Sequence, residues 1–319
     1  MAEQYVLSLS YGKDSLACLG AIEQLGLPLD RIVHAEIWAT DTISADLPPM
    51  VEFKKKADQI IKERYGIQVE HICALKTQGR VEANSHMKTC SIKDSSLGNT
   101  VEKFTDFHTK SDRGAKSSNM RMERLTYEDV FYRVSNGKKH KGEIYGFPMI
   151  VSNWCTGMLK TTILDKSIHS QIVQGERERE SIIQYLGIAS DEPIRIARHE
   201  GKKGIVLPLV KAGWTESMCR EWCEKNDLLS PIYTTATRGG CWFCHNQGVD
   251  QLRFLRKNYP EYWKLLLKWD NDSPVTFKAD GHTVHDYDRR FQLEDELLIP
   301  IDRPFRWSML EEDLQIRLI

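Results

Sequence analysis

The sequence has no apolar run that approaches the roughly 18 residues needed for a membrane-spanning helix. Its first residues contain no apolar segment followed by a small-residue cleavage site, the pattern of a secretory signal. The formal net charge of −1 excludes a global attraction to nucleic acid or to an anionic membrane surface. We therefore expect a cytoplasmic protein with no membrane association.

A disulfide scaffold is also disfavoured. The 319 residues include eight cysteines, and 41% of the chain is hydrophobic, which is enough for a buried core. Eight cysteines in a chain of this length, without a secretion signal, indicate reduced thiols or metal ligands. No internal repeat is visible, so the length predicts one large domain or two smaller ones.

Apolar runs and helical patterns alternate along the first 75 residues. Strands are predicted at 5–9, 31–39 and 68–74, and helices at 15–25 and about 50–65. Because parallel strands need crossover connections of this kind, the alternation predicts an α/β fold with a doubly wound parallel sheet.

Polar residues then dominate a long insertion at about 76–141, and apolar periodicity returns after Trp154. We predict a nucleotide-binding α/β domain over residues 1–235, interrupted by this insertion. A helical subdomain with a C-x-x-C motif is predicted over 236–319, ending in a polar, irregular tail from about residue 272.

The segment Ser8–Ser15 is the strongest functional signal. It follows an apolar strand and precedes a helical pattern, so its backbone N–H groups and the positive helix end can face an anion. Gly12 permits close backbone approach, and Lys13 supplies a cation. Asp14 suggests a bound metal or a capping role. The order is not a Walker A loop, because Lys13 is followed by an aspartate.

This turn resembles the S-G-G-x-D-S pyrophosphatase loop of the adenine nucleotide alpha hydrolase superfamily. Ser10, Gly12, Asp14 and Ser15 match the loop, and Tyr11 replaces its first glycine. The resemblance implies that Lys13 and Asp14 are catalytic and that the whole segment binds nucleotide.

Two further segments resemble the PAPS (3'-phosphoadenylyl-sulfate) reductase-like family within that superfamily. Asp41-Thr42 follows the second predicted strand, where a parallel sheet gathers ligands, and resembles the family's Asp-Thr pair. Residues 154–160 resemble its W-C-x-x-x-L-K segment, in which Lys160 could reach a phosphate as a point charge. The family resemblance implies a catalytic role for Lys160.

Two segments compete for the family's G-[IL]-R-x-[DE]-[ES] element. Residues 175–181 match its letters better but do not follow a strand. We favour Gly187–Glu192, which follows a predicted strand and has Ala189 where arginine is usual. Arg195 or Arg198 could supply the missing charge. The resemblance then adds these residues to the nucleotide site: Gly187, Asp191, Glu192 and Arg195.

Cys241 and Cys244 form a C-x-x-C with metal-ligand spacing, for which a redox disulfide is the alternative. Cluster-bearing relatives join such a pair to the cysteine of the W-C segment, here Cys155, on a [4Fe–4S] cluster. Zn²⁺ suits the same ligands equally well. The candidates for the fourth ligand are His245, Cys223, Cys219 and Cys90. Core burial is the competing interpretation of Cys219 and Cys223.

The resemblance implies an enzyme that uses ATP and Mg²⁺ to adenylylate a substrate for sulfur transfer, as in the related DNA-phosphorothioation enzymes. Its partners would be an adenine nucleotide and a sulfur donor protein such as a cysteine desulfurase or thioredoxin, with nucleic acid a candidate substrate. One alternative is a PAPS reductase, although no cysteine follows Cys244 to act as a tail nucleophile. A second alternative is a non-catalytic nucleotide-binding or defence component.

Overall fold

The fold is described from a computed structural model. It covers residues 3–76, 123–137, 141–148, 153–169, 181–234, 239–299, 301 and 305–309. Most of the predicted insertion, the competing segment 175–180 and Cys90 lie outside these residues. Within the described ranges, no helix is both long and apolar enough to cross a membrane.

The chain forms two compact units. The first comprises Met1–Tyr127 and Cys155–Tyr233, and the second Glu128–Trp154 and Thr234–Ile319. The segment Glu128–Trp154, which we had placed in the first domain, therefore belongs to the second unit together with the C-terminal part of the chain.

A five-stranded parallel sheet forms the centre of the first unit, which confirms the predicted α/β class. Its strands are β1 (Gln4–Ser8), β2 (Arg31–Glu36), β3 (Val69–Cys73), β4 (Ile182–Tyr185) and β5 (Ile205–Val206). Their order across the sheet is β3-β2-β1-β4-β5, with every neighbouring pair parallel. The chain therefore moves outward from β1 on one side and resumes on its other side at β4, as a doubly wound fold requires.

Helices connect these strands. They are α1 (Lys13–Gln24), α2 (Pro48–Tyr65), α3 (Tyr127–Phe131), α4 (Trp154–Thr156), a π-helical turn (Gly157–Thr161), α5 (Thr162–Ile168), α6 (Pro193–Ala197), α7 (Pro208–Ala212), α8 (Glu216–Lys225) and a 3-10 turn (Pro231–Thr234). Thr215 caps α8 by accepting a hydrogen bond from the Met218 N–H, as predicted. Cys219 and Cys223 are fully buried beside α1, which confirms their assignment to the core.

The second unit is helical, with α9 (Val249–Asn258), α10 (Pro260–Asp272) and α11 (Val284–Asp295). Its core is aromatic: Trp242 stacks on Trp269 with ring centroids 5.7 Å apart. The prediction of an irregular tail from residue 272 was wrong. The helix α11 begins at a capping box formed by Thr283 and Asp286, and buries an apolar side that its polar composition obscures.

Candidate functional site

The turn between β1 and α1 lies at the middle of the sheet and is held by serine side chains. The Ser15 hydroxyl donates to the Gly12 carbonyl, 2.9 Å away, and accepts a hydrogen bond from the Ser10 N–H at 3.1 Å. The Ser10 and Ser15 hydroxyl oxygens are 2.9 Å apart. No side chain caps the N-terminus of α1, whose cap residue is Gly12. An uncapped helix start above a parallel sheet is a favourable place for a phosphate group.

Tyr11 shows how this turn accommodates a large residue where the resembling loop has glycine. Its φ of 56° lies in the left-handed region that favours glycine. The side chain is fully buried, and its hydroxyl donates to Asp58 and lies 3.1 Å from His71 Nε2. Burial, and then the Asp58 carboxylate, raise the pKa of Tyr11 well above its usual value. The substitution keeps the turn and anchors it to the sheet below.

The loop after β4 comes into direct contact with this turn. A Cβ atom added to Gly187 would lie 2.6 Å from Ser15 Cα and 2.8 Å from the Asp14 carbonyl carbon. Only a residue without a side chain fits at that distance. Because β1 and β4 are adjacent but belong to opposite halves of the strand order, their following loops flank the crevice where open α/β sheets bind ligands.

Lys13 lies at the start of α1 between two carboxylates. Its ammonium is 2.7 Å from Asp14 and 3.0 Å from Glu216, and the Tyr233 hydroxyl accepts its backbone N–H at 3.0 Å. Burial lowers the pKa of Lys13, but the two carboxylates raise it above the usual value. Burial raises the pKa of Asp14 despite the opposing effect of Lys13. An incoming phosphate therefore competes with two carboxylates for this cation.

The remaining predicted residues of this region have structural partners. Asp191 accepts the backbone N–H of Glu216 at 3.0 Å, which links the β4 loop to the carboxylate beside Lys13. Glu192 accepts the Ala189 N–H at 3.1 Å and pairs with Arg195 at 2.6 Å. Ser8 ends β1, where its hydroxyl accepts a hydrogen bond from Gln184 at 2.7 Å. These contacts shape the turn and the β4 loop.

Asp41, Thr42 and Lys160 lie on the β2 side of the first unit. Asp41 and Thr42 are exposed in the loop after β2, and Asp41 forms a 3.8 Å ion pair with Lys76. Their predicted role in nucleotide binding stays a prediction. Lys160 lies in the π-helical turn, close enough to the sheet for its charge to act on His34. A π turn in a helix is frequently found at a functional site.

A buried polar cluster on β2 and β3 was missed by the sequence analysis. His34 Nδ1 donates to the Leu9 carbonyl at 2.8 Å, so its Nε2 accepts from the Lys54 ammonium at 2.8 Å. His71 bridges two carboxylates, with Nδ1 2.9 Å from Glu36 and Nε2 2.8 Å from Asp58. We call His34, Glu36 and His71 the strand histidine cluster.

Electrostatics separates the two histidines. Burial first, and then the Lys54 cation, lower the pKa of His34 well below its usual value, so the ring is neutral. Burial also opposes the charged form of His71, but hydrogen bonds to Asp58 and Glu36 raise its pKa to about 9. The pKa of Glu36 is correspondingly lowered by His71, against the effect of burial.

The predicted cysteine ligands are divided between the units. Cys241 and Cys244 occupy a tight turn in the second unit, where the Cys244 N–H donates to the Cys241 carbonyl at 3.0 Å. Among the described residues, the strand histidine cluster alone brings three ligand atoms within 4.8 Å of one another, so His245 does not complete a set with the cysteine pair. Cys155 belongs to the first unit, and a metal site shared with the C-x-x-C stays a prediction.

Comparisons with protein-family models, with curated proteins and with solved structures found no match to this chain.

Proposed function

We propose that the first unit is a doubly wound nucleotide-binding domain that cleaves ATP between its α and β phosphates and adenylylates a substrate. The close contact between Gly187 and the backbone of Ser15 carries this proposal. It joins a serine-held, uncapped helix start to the loop of the neighbouring strand at the sheet's switch point. Loops paired in this way form the usual phosphate-binding crevice of an open α/β sheet.

In the proposed reaction, a nucleophilic atom of the acceptor attacks the α phosphorus. The bond to the oxygen that bridges the α and β phosphates breaks, and that oxygen leaves with the electron pair as part of pyrophosphate. The Lys13 ammonium, released from Glu216, stabilises the charge on the leaving group. Mg²⁺, bound through the oxygen ligands that it prefers, would supply further charge neutralisation, and Asp14 is the carboxylate nearest to Lys13 that fits this role.

Adenylylation for sulfur transfer follows from the family resemblance rather than from the geometry of the turn. Four of the described cysteines, at positions 18, 73, 219 and 223, are buried, and three, at positions 155, 241 and 244, are partly exposed. Burial raises the pKa of Cys219 and of Cys223 to about 12, which makes these two thiols inert. We therefore place any sulfur handling at the partly exposed cysteines, and derive no step through a metal there, because the second unit alone does not complete the ligand set.

The products formed from ATP test the proposal. Incubation of the full chain with ATP and Mg²⁺ should yield AMP and pyrophosphate, with water as the default acceptor. Lys13→Gln should lower this rate about 10²-fold, because it removes the cation from the leaving group. Lys211→Gln, which changes an exposed lysine on α7, is the matched control and should have no effect. Release of ADP and phosphate would refute cleavage at the α–β bond.

A nucleotide sensor is the second candidate, and the neutralisation of Lys13 by Asp14 and Glu216 favours it. A cation held by two carboxylates can recognise a nucleotide without reacting with it. Calorimetry that shows ATP binding, lost in Ser15→Ala, together with no pyrophosphate release by the wild-type protein would support the sensor. Absence of ATP binding would refute both functions.

A further inference from the structure

We propose that the strand histidine cluster, His34, Glu36 and His71, binds a divalent transition metal ion of the zinc class. This site is separate from the cysteine motif and independent of the function proposed above. Two imidazoles and one carboxylate are a ligand set that Zn²⁺ uses in proteins, leaving a further position open to water or substrate. Mg²⁺, which prefers oxygen ligands, is disfavoured by the two ring nitrogens.

Strand pairing brings the three ligands together. His34 and Glu36 are two positions apart on β2 and therefore share one face of the sheet. His71 is the register partner of His34 on β3. The three ligand atoms lie within 4.8 Å of one another. A tetrahedral ion with bonds of about 2 Å separates its ligands by about 3.4 Å, so small side-chain rotations close the set.

Each histidine already has the outer partner that metal-binding histidines require. The Leu9 carbonyl accepts from His34 Nδ1 at 2.8 Å, and Asp58 lies 2.8 Å from His71 Nε2. These bonds direct His34 Nε2 and His71 Nδ1 toward the cluster. A carbonyl or carboxylate behind each ring fixes its tautomer and orientation before an ion arrives.

A cation already occupies part of the site. The Lys54 ammonium lies 2.8 Å from His34 Nε2, and its other partner is Asp46. An ion that binds His34 must displace this ammonium, which can remain paired with Asp46. Ions can reach the site from solvent, because about a quarter of the Glu36 and His71 side chains is exposed, 23% and 27% respectively. Lys54 is therefore a built-in competitor that weakens metal affinity.

Cobalt substitution distinguishes this site from the cysteine motif. We would titrate Co²⁺ into chelator-treated full-length protein carrying Cys241→Ser and Cys244→Ser. We expect one equivalent to bind with visible d–d absorption and without the ultraviolet charge-transfer band that thiolate ligands produce. Zn²⁺ should displace it. Absence of binding, or a thiolate band, would overturn the proposal.

Variants in the same cysteine-free background identify the ligands. Glu36→Gln should abolish Co²⁺ binding, and Asp58→Asn, which changes only the outer partner of His71, should weaken it about 10- to 100-fold. Lys54→Met should strengthen binding, because it removes the competing ammonium. His285→Gln, an exposed histidine of the second unit, is the matched control. Circular dichroism establishes that each variant is folded, and unchanged affinity in folded Glu36→Gln and Asp58→Asn would refute the assignment.

Discussion

Replacement of Gly187 by alanine tests the contact that links the β4 loop to the turn after β1. The added Cβ atom would meet three backbone atoms, at 2.6 Å from Ser15 Cα, 2.7 Å from Ser15 N and 2.8 Å from the Asp14 carbonyl carbon. The closest of these distances is about 0.8 Å inside the 3.4 Å at which ordinary contact begins. Backbone atoms cannot rotate away as a flexible side chain can, so one of the two loops must move.

The magnitude follows from two opposing effects. Overpacking of this kind costs about 1–3 kcal/mol. Gly→Ala also stabilises by about 0.4–1 kcal/mol, because alanine restricts the unfolded chain. The net loss is therefore about 1–2 kcal/mol, which lowers the melting temperature of a unit of this size by about 2–8 °C. A displacement near 1 Å in the turn should weaken productive nucleotide contacts about 10²-fold.

Thermal unfolding and ATP calorimetry measure the two effects separately. Gly157→Ala is the matched control, because the π-helical turn offers an added Cβ atom open space. We expect this control to keep wild-type stability and ATP affinity. If Gly187→Ala binds ATP as tightly as the wild type and melts at the same temperature, the two loops do not form a single rigid site, and the proposed crevice is wrong.

Two further predictions concern charge. Glu216→Gln should strengthen ATP binding about two- to fivefold at low salt, because it removes a half-exposed competitor for Lys13; an equal gain at high salt would contradict this electrostatic cause. Glu294→Gln should destabilise the second unit by about 3 kcal/mol in urea unfolding, because Arg253 and Arg290 lose a buried carboxylate. Burial opposes ionisation of Glu294, but the two arginines hold its pKa below the usual value, so their stabilisation is present above about pH 4.3 and is lost as pH falls through the folded pKa. A difference between wild type and variant that stays constant down to pH 3 would contradict this linkage.

The sequence determined the features that depend on neighbouring residues. Alternating apolar runs predicted the parallel α/β sheet, because strand and helix periodicities are properties of short segments. Thr215 was recognisable as an N-cap from its position before α8. The Ser/Gly turn after β1 was visible for the same reason, since its serine contacts span at most five residues.

Tertiary structure decided which distant residues meet. Gly187 contacts Ser15 because β4 pairs with β1 across more than 170 residues, and the Tyr233 hydroxyl reaches the Lys13 backbone over a separation of 220. The histidine and glutamate of β2 are visible as alternate residues of an apolar strand, but their meeting with His71 depends on the register of β2 and β3. A register is set by the packing of whole strands, and a shift of one residue would send these side chains to the opposite face of the sheet. For that physical reason the turn could be predicted from local sequence, whereas its neighbours and the strand histidine cluster required the folded chain.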